Sequence, residues 1–261
     1  MRLAFDPQID LAGLVIRWQA IALAAIILVA LGGWWLLLRR VRPLPSPDDL
    51  IFVLLGIVPG ALVGGRLVHG IVFVEAYLSR PEAILDLAQG SLSLSGAVLG
   101  GLISGAYVCR ILAHPVRAWM DAAAVPLLLA IGLGKLALLL AGGGQGLPLD
   151  GPWAISFGGP GPWLAADPST PAHPSQVYEG VWALIGVVAL LGLWSRLTLG
   201  PRGWLFGAAV GWWLAGRSLA AFTWRDDPWL AGLPAEQLIA MGGSALCLGL
   251  WIARRPSVPA G

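Results

Sequence analysis

Seven stretches of mainly apolar residues, each long enough to cross a bilayer, follow one another along the chain: 18–38, 51–73, 92–112, 119–141, 177–194, 204–222 and 235–253. A spanning helix needs roughly 20 such residues. In hydrocarbon each backbone N–H and C=O must find its partner inside the protein, which restricts such stretches to helices. Composition agrees. Only 11% of residues are charged and 57% are hydrophobic, against roughly 25% charged in a soluble domain, and the mean hydropathy is +0.80. The expected fold is all-α: a polytopic membrane protein of about seven transmembrane helices, residues 1–261 forming one integral domain. A net charge of +2, with no basic patch, leaves nucleic acid out as a partner.

Arginine placement gives the orientation, because short cytoplasmic loops carry the excess of basic residues. Arg39, Arg40, Arg42, Arg110, Arg117, Arg196, Arg202, Arg254 and Arg255 all fall on one side of a seven-span chain. Only Arg2, Arg17, Arg80 and Arg225 fall on the other. The N-terminus is therefore expected outside and the C-terminus in the cytoplasm. Asp6 and Asp10 precede the first run without a basic cluster, so that run reads as a retained span rather than a cleaved signal. On the outer side, residues 75–90 read as a short interfacial helix. The Gly- and Pro-rich stretch 142–172, with Trp153 and Trp163, reads as a small extracytoplasmic cap. Cys109 and Cys247 are far apart and lie in or beside apolar runs, a pattern of buried packing with no metal-ligand spacing.

Small residues recur every four positions: Gly56, Gly60 and Gly64 on one run, Gly96, Gly100 and Ser104 on another. This is the close-packing pattern of membrane helices, and the same faces would alternatively leave room for a lipid tail.

The segment His173-Pro-Ser-Gln-Val-Tyr-Glu179 brings an imidazole, hydroxyl, amide, phenol and carboxylate to the start of the fifth run. Polar groups at that depth are costly unless paired, so the cluster reads as a site; a helix start needs only one or two of them as caps. Arg66, Lys135 and Arg217 lie within runs, each costing on the order of 3 kcal/mol at a helix centre. Arg66, Lys135 and Arg225 are expected to converge at the outer edge beside His173, Gln176, Tyr178 and Glu179. Three cations with such a cluster suit an anionic headgroup, since arginine grips phosphate bidentately and lysine as a point charge. Snorkelling or an internal pair such as Arg66 with Glu179 is the structural alternative. The glycine run 142–146 permits close backbone approach to phosphate, and Gly146 is a candidate there.

On these residues the chain resembles the prolipoprotein diacylglyceryl transferases of bacterial membranes, in order and over nearly its whole length. The similar stretches are Phe5-Asp6-Pro7, Gly64-Gly65-Arg66, Ser93-Leu94-Ser95-Gly96, Gly132-Leu-Gly-Lys135, Pro152-Trp153, His173 to Glu179, Arg217, Trp224-Arg225-Asp226-Asp227 and Gln237. The resemblance implies transfer of diacylglyceryl from phosphatidylglycerol, or a similar anionic phospholipid, to the cysteine thiol of a lipoprotein precursor's signal peptide, without cofactor or metal, in the bacterial inner membrane. It implies Arg225, Lys135 and His173 as catalytic groups, and Arg66, Gln176, Tyr178, Glu179, Gln237, Ser95 and Gly146 as substrate contacts.

The chain also departs from the family pattern. Gln19 and Ala20 stand where the family has Tyr and Gly. Ser95 replaces a histidine. Lys135, Leu138, Ala141 and Gly143 occupy the positions of an Arg, two Asn and a Glu, and Ala221 replaces a carboxylate. These losses keep two alternatives open: a degenerate relative that binds lipid or precursor without catalysis, and a lipid transferase with another acceptor.

Overall fold

The computed structural model describes residues 1–78, 81–85, 92–192, 194 and 202–253. Seven long helices form the body: α1 (Trp18–Leu38), α2 (Pro47–Val72), α3 (Leu94–Ile111), α4 (Val116–Ala137), α5 (Ser175–Gly192), α6 (Trp204–Ala220) and α7 (Ala235–Ala253). Each is long and apolar enough to cross a membrane. Helix α2 starts four residues before the apolar run because Ser46 and Asp49 close a reciprocal capping box, with Pro47 in the first turn. Short 3-10 turns, Leu138–Leu140 and Ala221–Thr223, extend α4 and α6.

The polar ends carry structure that hydropathy does not reveal. Strand β1 (Arg2–Ala4) pairs in parallel with β4 (Ser156–Gly158), Arg2 opposite Ser156. Strands β2 (Gln8–Leu11) and β3 (Leu14–Arg17) form a hairpin. Its turn needs positive φ at Ala12 and Gly13. The N-terminal segment is therefore part of the cap expected at 142–172: the chain's ammonium donates to the Ala154 carbonyl at 2.5 Å, and Phe5 meets Trp163 edge-on at 5.0 Å. Of the stretch 75–90, the described part holds a single helical turn, Val74–Tyr77, and a 3-10 turn, Pro81–Leu85. Arg80, Arg196, Arg254 and Arg255 lie outside the described residues.

The small-residue faces of α2 and α3 meet directly. A side chain at Gly60 would strike the Ser104 hydroxyl, and one at Gly100 the Gly60 carbonyl. The spacing thus serves backbone approach and leaves no room for a lipid tail along that contact. Helix α4 lies at the centre of the rest, packed on α1, α5 and α6, while α6 packs on α7. Ala124, Leu128, Ala183, Trp213 and Ala240 are buried where these helices meet. Trp182 and Trp212 stack at 4.6 Å, and each indole N–H donates to the other's carbonyl at 2.8 Å.

Alternation of the spans sorts their ends. Ser95, Lys135, Glu179, Arg217 and Glu236 sit at one end of α3, α4, α5, α6 and α7. Arg39, Arg110 and Arg117 sit at the other, where His114 contacts Asp49 at 3.1 Å.

Candidate functional site

Five helices each bring one polar side chain to the first end, and these join into a single buried chain of contacts. The Lys135 Nζ lies 2.9 Å from Glu179 Oε1. The other Glu179 oxygen accepts from Arg217 at 3.0 Å. A second Arg217 nitrogen donates to Glu236 Oε2 at 3.1 Å, and the Ser95 hydroxyl donates to the same oxygen at 2.9 Å. Two cations face two carboxylates, so the array is neutral, which is how charge is tolerated at this depth. Glu236 lies in the first turn of α7, where the helix dipole favours a carboxylate. The Arg217 guanidinium also stacks over Trp224 at 4.6 Å from the ring centre.

A cavity of about 230 Å³ opens on this array, lined by Lys135, Gln176, Glu179, Arg217, Arg225 and Asp226 together with Gly144, Gln145 and Trp224. Three cations and two carboxylates therefore border it. Gln176 is fully buried and neither atom of its amide has a hydrogen-bond partner among the described residues. The Nε of Arg217 is likewise buried without a partner. Buried polar groups are nearly always hydrogen-bonded, so the Gln176 amide and the Arg217 Nε keep hydrogen-bonding capacity that the described residues do not use.

Arg225 enters from the loop after α6. Its Nε donates to the Gly146 carbonyl at 2.6 Å, and no other guanidinium contact is made among the described residues. Gly146 acts through that carbonyl and through its smallness: a Cβ there would meet the Ser175 hydroxyl and the Thr223 carbonyl. Its neighbour Gly144, with φ +74°, makes the turn that lets the loop border the cavity. Asp226, next in the chain, keeps contact with water. The surrounding protein still strips enough solvent from it to raise its carboxyl above the usual aspartate range, against the pull of Arg217 and Lys135.

The remaining sequence candidates lie elsewhere. His173 contacts Tyr178 through Nδ1 at 3.2 Å, on the cap side of Gly146. Arg66 does not join Lys135 and Arg225, and it does not pair with Glu179. Its Nε and Nη2 donate to the carbonyls of Ile84 (2.7 Å) and Ala83 (2.5 Å), and its guanidinium lies over Tyr77. Planar guanidinium takes such a fork of carbonyls readily, so Arg66 fastens the turn after α2. Gln237 is fully buried and donates to the Ser218 carbonyl at 2.9 Å, bracing α7 on α6.

Two members of the charged array were absent from the sequence candidates. Arg217 is visible as an intramembrane cation, but its role depends on partners from other helices. Glu236 is an ionisable residue opening the last span, a signal that the rule for charges in membranes would have flagged.

Fold and site together define a multi-pass membrane protein with a charged cavity at one end of its helix bundle. The family model for prolipoprotein diacylglyceryl transferase matches residues 8–253, and the chain belongs to that family. Among similar proteins is the phosphatidylglycerol–prolipoprotein diacylglyceryl transferase of Rhodospirillum rubrum, 34% identical over 84% of this chain and 78% of its own length. Those of Gluconacetobacter diazotrophicus (30% over 95% and 88%) and Cereibacter sphaeroides (31% over 94% and 88%) bear the same name.

Proposed function

We propose that this chain is a phosphatidylglycerol–prolipoprotein diacylglyceryl transferase whose reaction takes place in the charged cavity. The observation that carries the reading is the cavity lining: Lys135, Arg217 and Arg225 at the membrane edge, with Gln176 buried and unpartnered beside them. A phosphodiester bound there would meet three cations, and Gln176 would gain a partner for its amide. The excess of arginine at the opposite end of the bundle supports an outward-facing cavity, with the N-terminus outside. The whole chain acts as one domain, the cap closing over the cavity.

The precursor's cysteine thiolate attacks the glyceryl carbon that carries the phosphate. The sulfur–carbon bond forms, the carbon–oxygen bond breaks, and glycerol phosphate leaves with the bonding pair. Charge grows on the phosphate oxygens during this step, so fixed cations beside them lower the barrier. Arg225 serves first, because most of its guanidinium has no hydrogen-bond partner among the described residues. Lys135 and Arg217 serve from positions fixed by Glu179 and Glu236.

The thiol proton needs an acceptor. His173 is turned to Tyr178, outside the cavity lining. Glu179 already holds two cations. Asp226 is the lining carboxylate with no hydrogen-bond or ion-pair partner among the described residues, and its raised pKa brings it nearer to that of a thiol. We assign it as the acceptor.

The test is transfer of labelled diacylglyceryl from phosphatidylglycerol to a lipobox peptide by the purified protein, with Arg225→Ala and Lys135→Ala alongside. Transfer by the native chain that falls in both variants supports the assignment. Lipid or peptide binding without transfer would leave the binding-only relative as the better reading.

A further inference from the structure

Two further cavities join: the first runs through the bundle from Ala97 and Ala130 to Cys109 and Val116, and the second opens at the end opposite the charged cavity. The first, about 370 Å³, lies between the α2–α3 pair and α1 and α4. Small residues such as Ala61, Gly101 and Ala123 leave the space, and among the described residues no charged or hydroxyl-bearing side chain lines it. An apolar cavity of about 150 Å³ is enough to hold benzene. In a bilayer a space more than twice that size forfeits dispersion contacts all round its walls unless hydrocarbon fills it.

The second, a groove of about 490 Å³, is lined by Tyr107, Arg110, Arg117 and Gly203. It shares Ala106, Val116 and Met120 with the first. Arg110 and Arg117 are exposed, and neither has a hydrogen bond or ion pair among the described residues. The carboxylate one turn from Arg117, Asp121, is engaged by the N–H groups of Gly203 (2.6 Å) and Phe206 (3.0 Å) at the start of α6. Two cations with unfilled hydrogen-bonding capacity thus stand at the mouth of a hydrocarbon-lined space. That is the outline of an anionic amphiphile.

We propose that the two cavities form one binding site for an anionic phospholipid, its phosphate between Arg110 and Arg117 and one acyl chain in the apolar cavity. Arg117 begins α4 and Lys135 nearly ends it, about 27 Å away along the axis. The bound lipid therefore belongs to the other leaflet from the one that supplies the transfer reaction, and the proposal does not rest on transfer occurring. Basic pockets between spans at a membrane face are a recurrent form of lipid recognition.

Delipidated full-length protein in detergent is titrated with phosphatidylglycerol, phosphatidylcholine or inorganic phosphate, and bound molecules are counted by native mass spectrometry. Lys135→Ala/Arg225→Ala is used to silence the cavity at the other end. In that background phosphatidylglycerol is expected to bind in preference to phosphatidylcholine. Adding Arg110→Gln/Arg117→Gln is expected to weaken it roughly thirtyfold, at about 1 kcal/mol for each arginine near a membrane surface. Ala106→Phe, at the junction, is expected to weaken both lipids. In the otherwise native sequence, Arg110→Gln/Arg117→Gln should remove one bound phosphatidylglycerol, so the result does not hinge on one background folding. Equal binding of the two lipids, or no loss in the arginine variant, would overturn the proposal. Inorganic phosphate that displaces the lipid one for one would reduce the site to an anion site, and an unchanged Ala106→Phe would remove the acyl chain from it.

Discussion

Glu179→Gln perturbs the centre of the charged array while keeping the shape of the side chain. The carboxylate accepts from Lys135 at 2.9 Å and from Arg217 at 3.0 Å, and it is almost fully buried. An amide of the same size accepts from one cation and turns an N–H group towards the other. One buried cation is then left uncompensated. Removing one partner of a buried pair costs about 3–5 kcal/mol. The acceptor bond that glutamine retains places this variant near the lower figure, about 3 kcal/mol. For a chain of this size each kcal/mol corresponds to about 2–4 °C, so thermal unfolding in detergent should fall by about 6–12 °C. The second Arg217 contact, to Glu236 at 3.1 Å, should make the loss non-additive. Arg217→Met on top of Glu179→Gln should therefore destabilise by less than the sum of the two single changes. A Glu179→Gln protein that unfolds within about 1 °C of the native one, with additive double variants, would refute the claim that these charges hold the helix ends together.

Other expectations are equally specific. Lys135→Ala should lower transfer by roughly 10²–10³-fold, the usual scale for losing one fixed group that stabilises transition-state charge, read as kcat/KM for phosphatidylglycerol. Asp226 has a carboxyl raised above its ordinary value. It is protonated, and so unable to accept the thiol proton, below that pKa. Transfer should therefore fall on the acid side, and Asp226→Asn should remove that limb together with most of the rate, whereas Asp227→Asn should keep the limb and move it to lower pH, because the Asp227 charge helps to raise the Asp226 carboxyl. Gly100→Val should destabilise by about 1–3 kcal/mol, because its side chain would run into the Gly60 carbonyl and lie 2.9 Å from the Gly64 Cα. Asp121→Ala should cost about 1 kcal/mol, seen as a few degrees in thermal unfolding, since it frees the first N–H groups of α6.

The sequence shows best what depends on local pattern. The seven spans appear in it because hydropathy and length are properties of each segment alone. Their bounds shift at both ends by at most a turn or so, as at α2, where Ser46 and Asp49 cap a helix that reads as loop by polarity. The Gly56–Gly64 and Gly96–Ser104 faces are likewise legible, since four-residue spacing places small residues on one side of a helix. Pairing between distant segments is less legible. Nothing local in Arg2–Ala4 indicates a strand beside Ser156–Gly158. Arg66 and Lys135 look alike as buried cations, yet the first is taken by two carbonyls and the second by a carboxylate from another helix. Depth alone cannot separate those fates, because each depends on what the neighbouring helix end presents. Glu236 looks like an ordinary acidic helix start until α6 brings Arg217 against it. With Glu179, it is one of two carboxylates that pair with Arg217 in a chain with alanine at position 221.

The central claim is tested most directly by the chemistry of the product. Purified protein is incubated with phosphatidylglycerol and a lipobox peptide, and peptide and released headgroup are both measured by mass spectrometry. The account predicts a diacylglyceryl thioether on the cysteine and one glycerol phosphate released for each thioether formed, both lost in Arg225→Ala. Peptide and lipid that bind the native protein but leave unchanged, with no thioether and no glycerol phosphate, would contradict it.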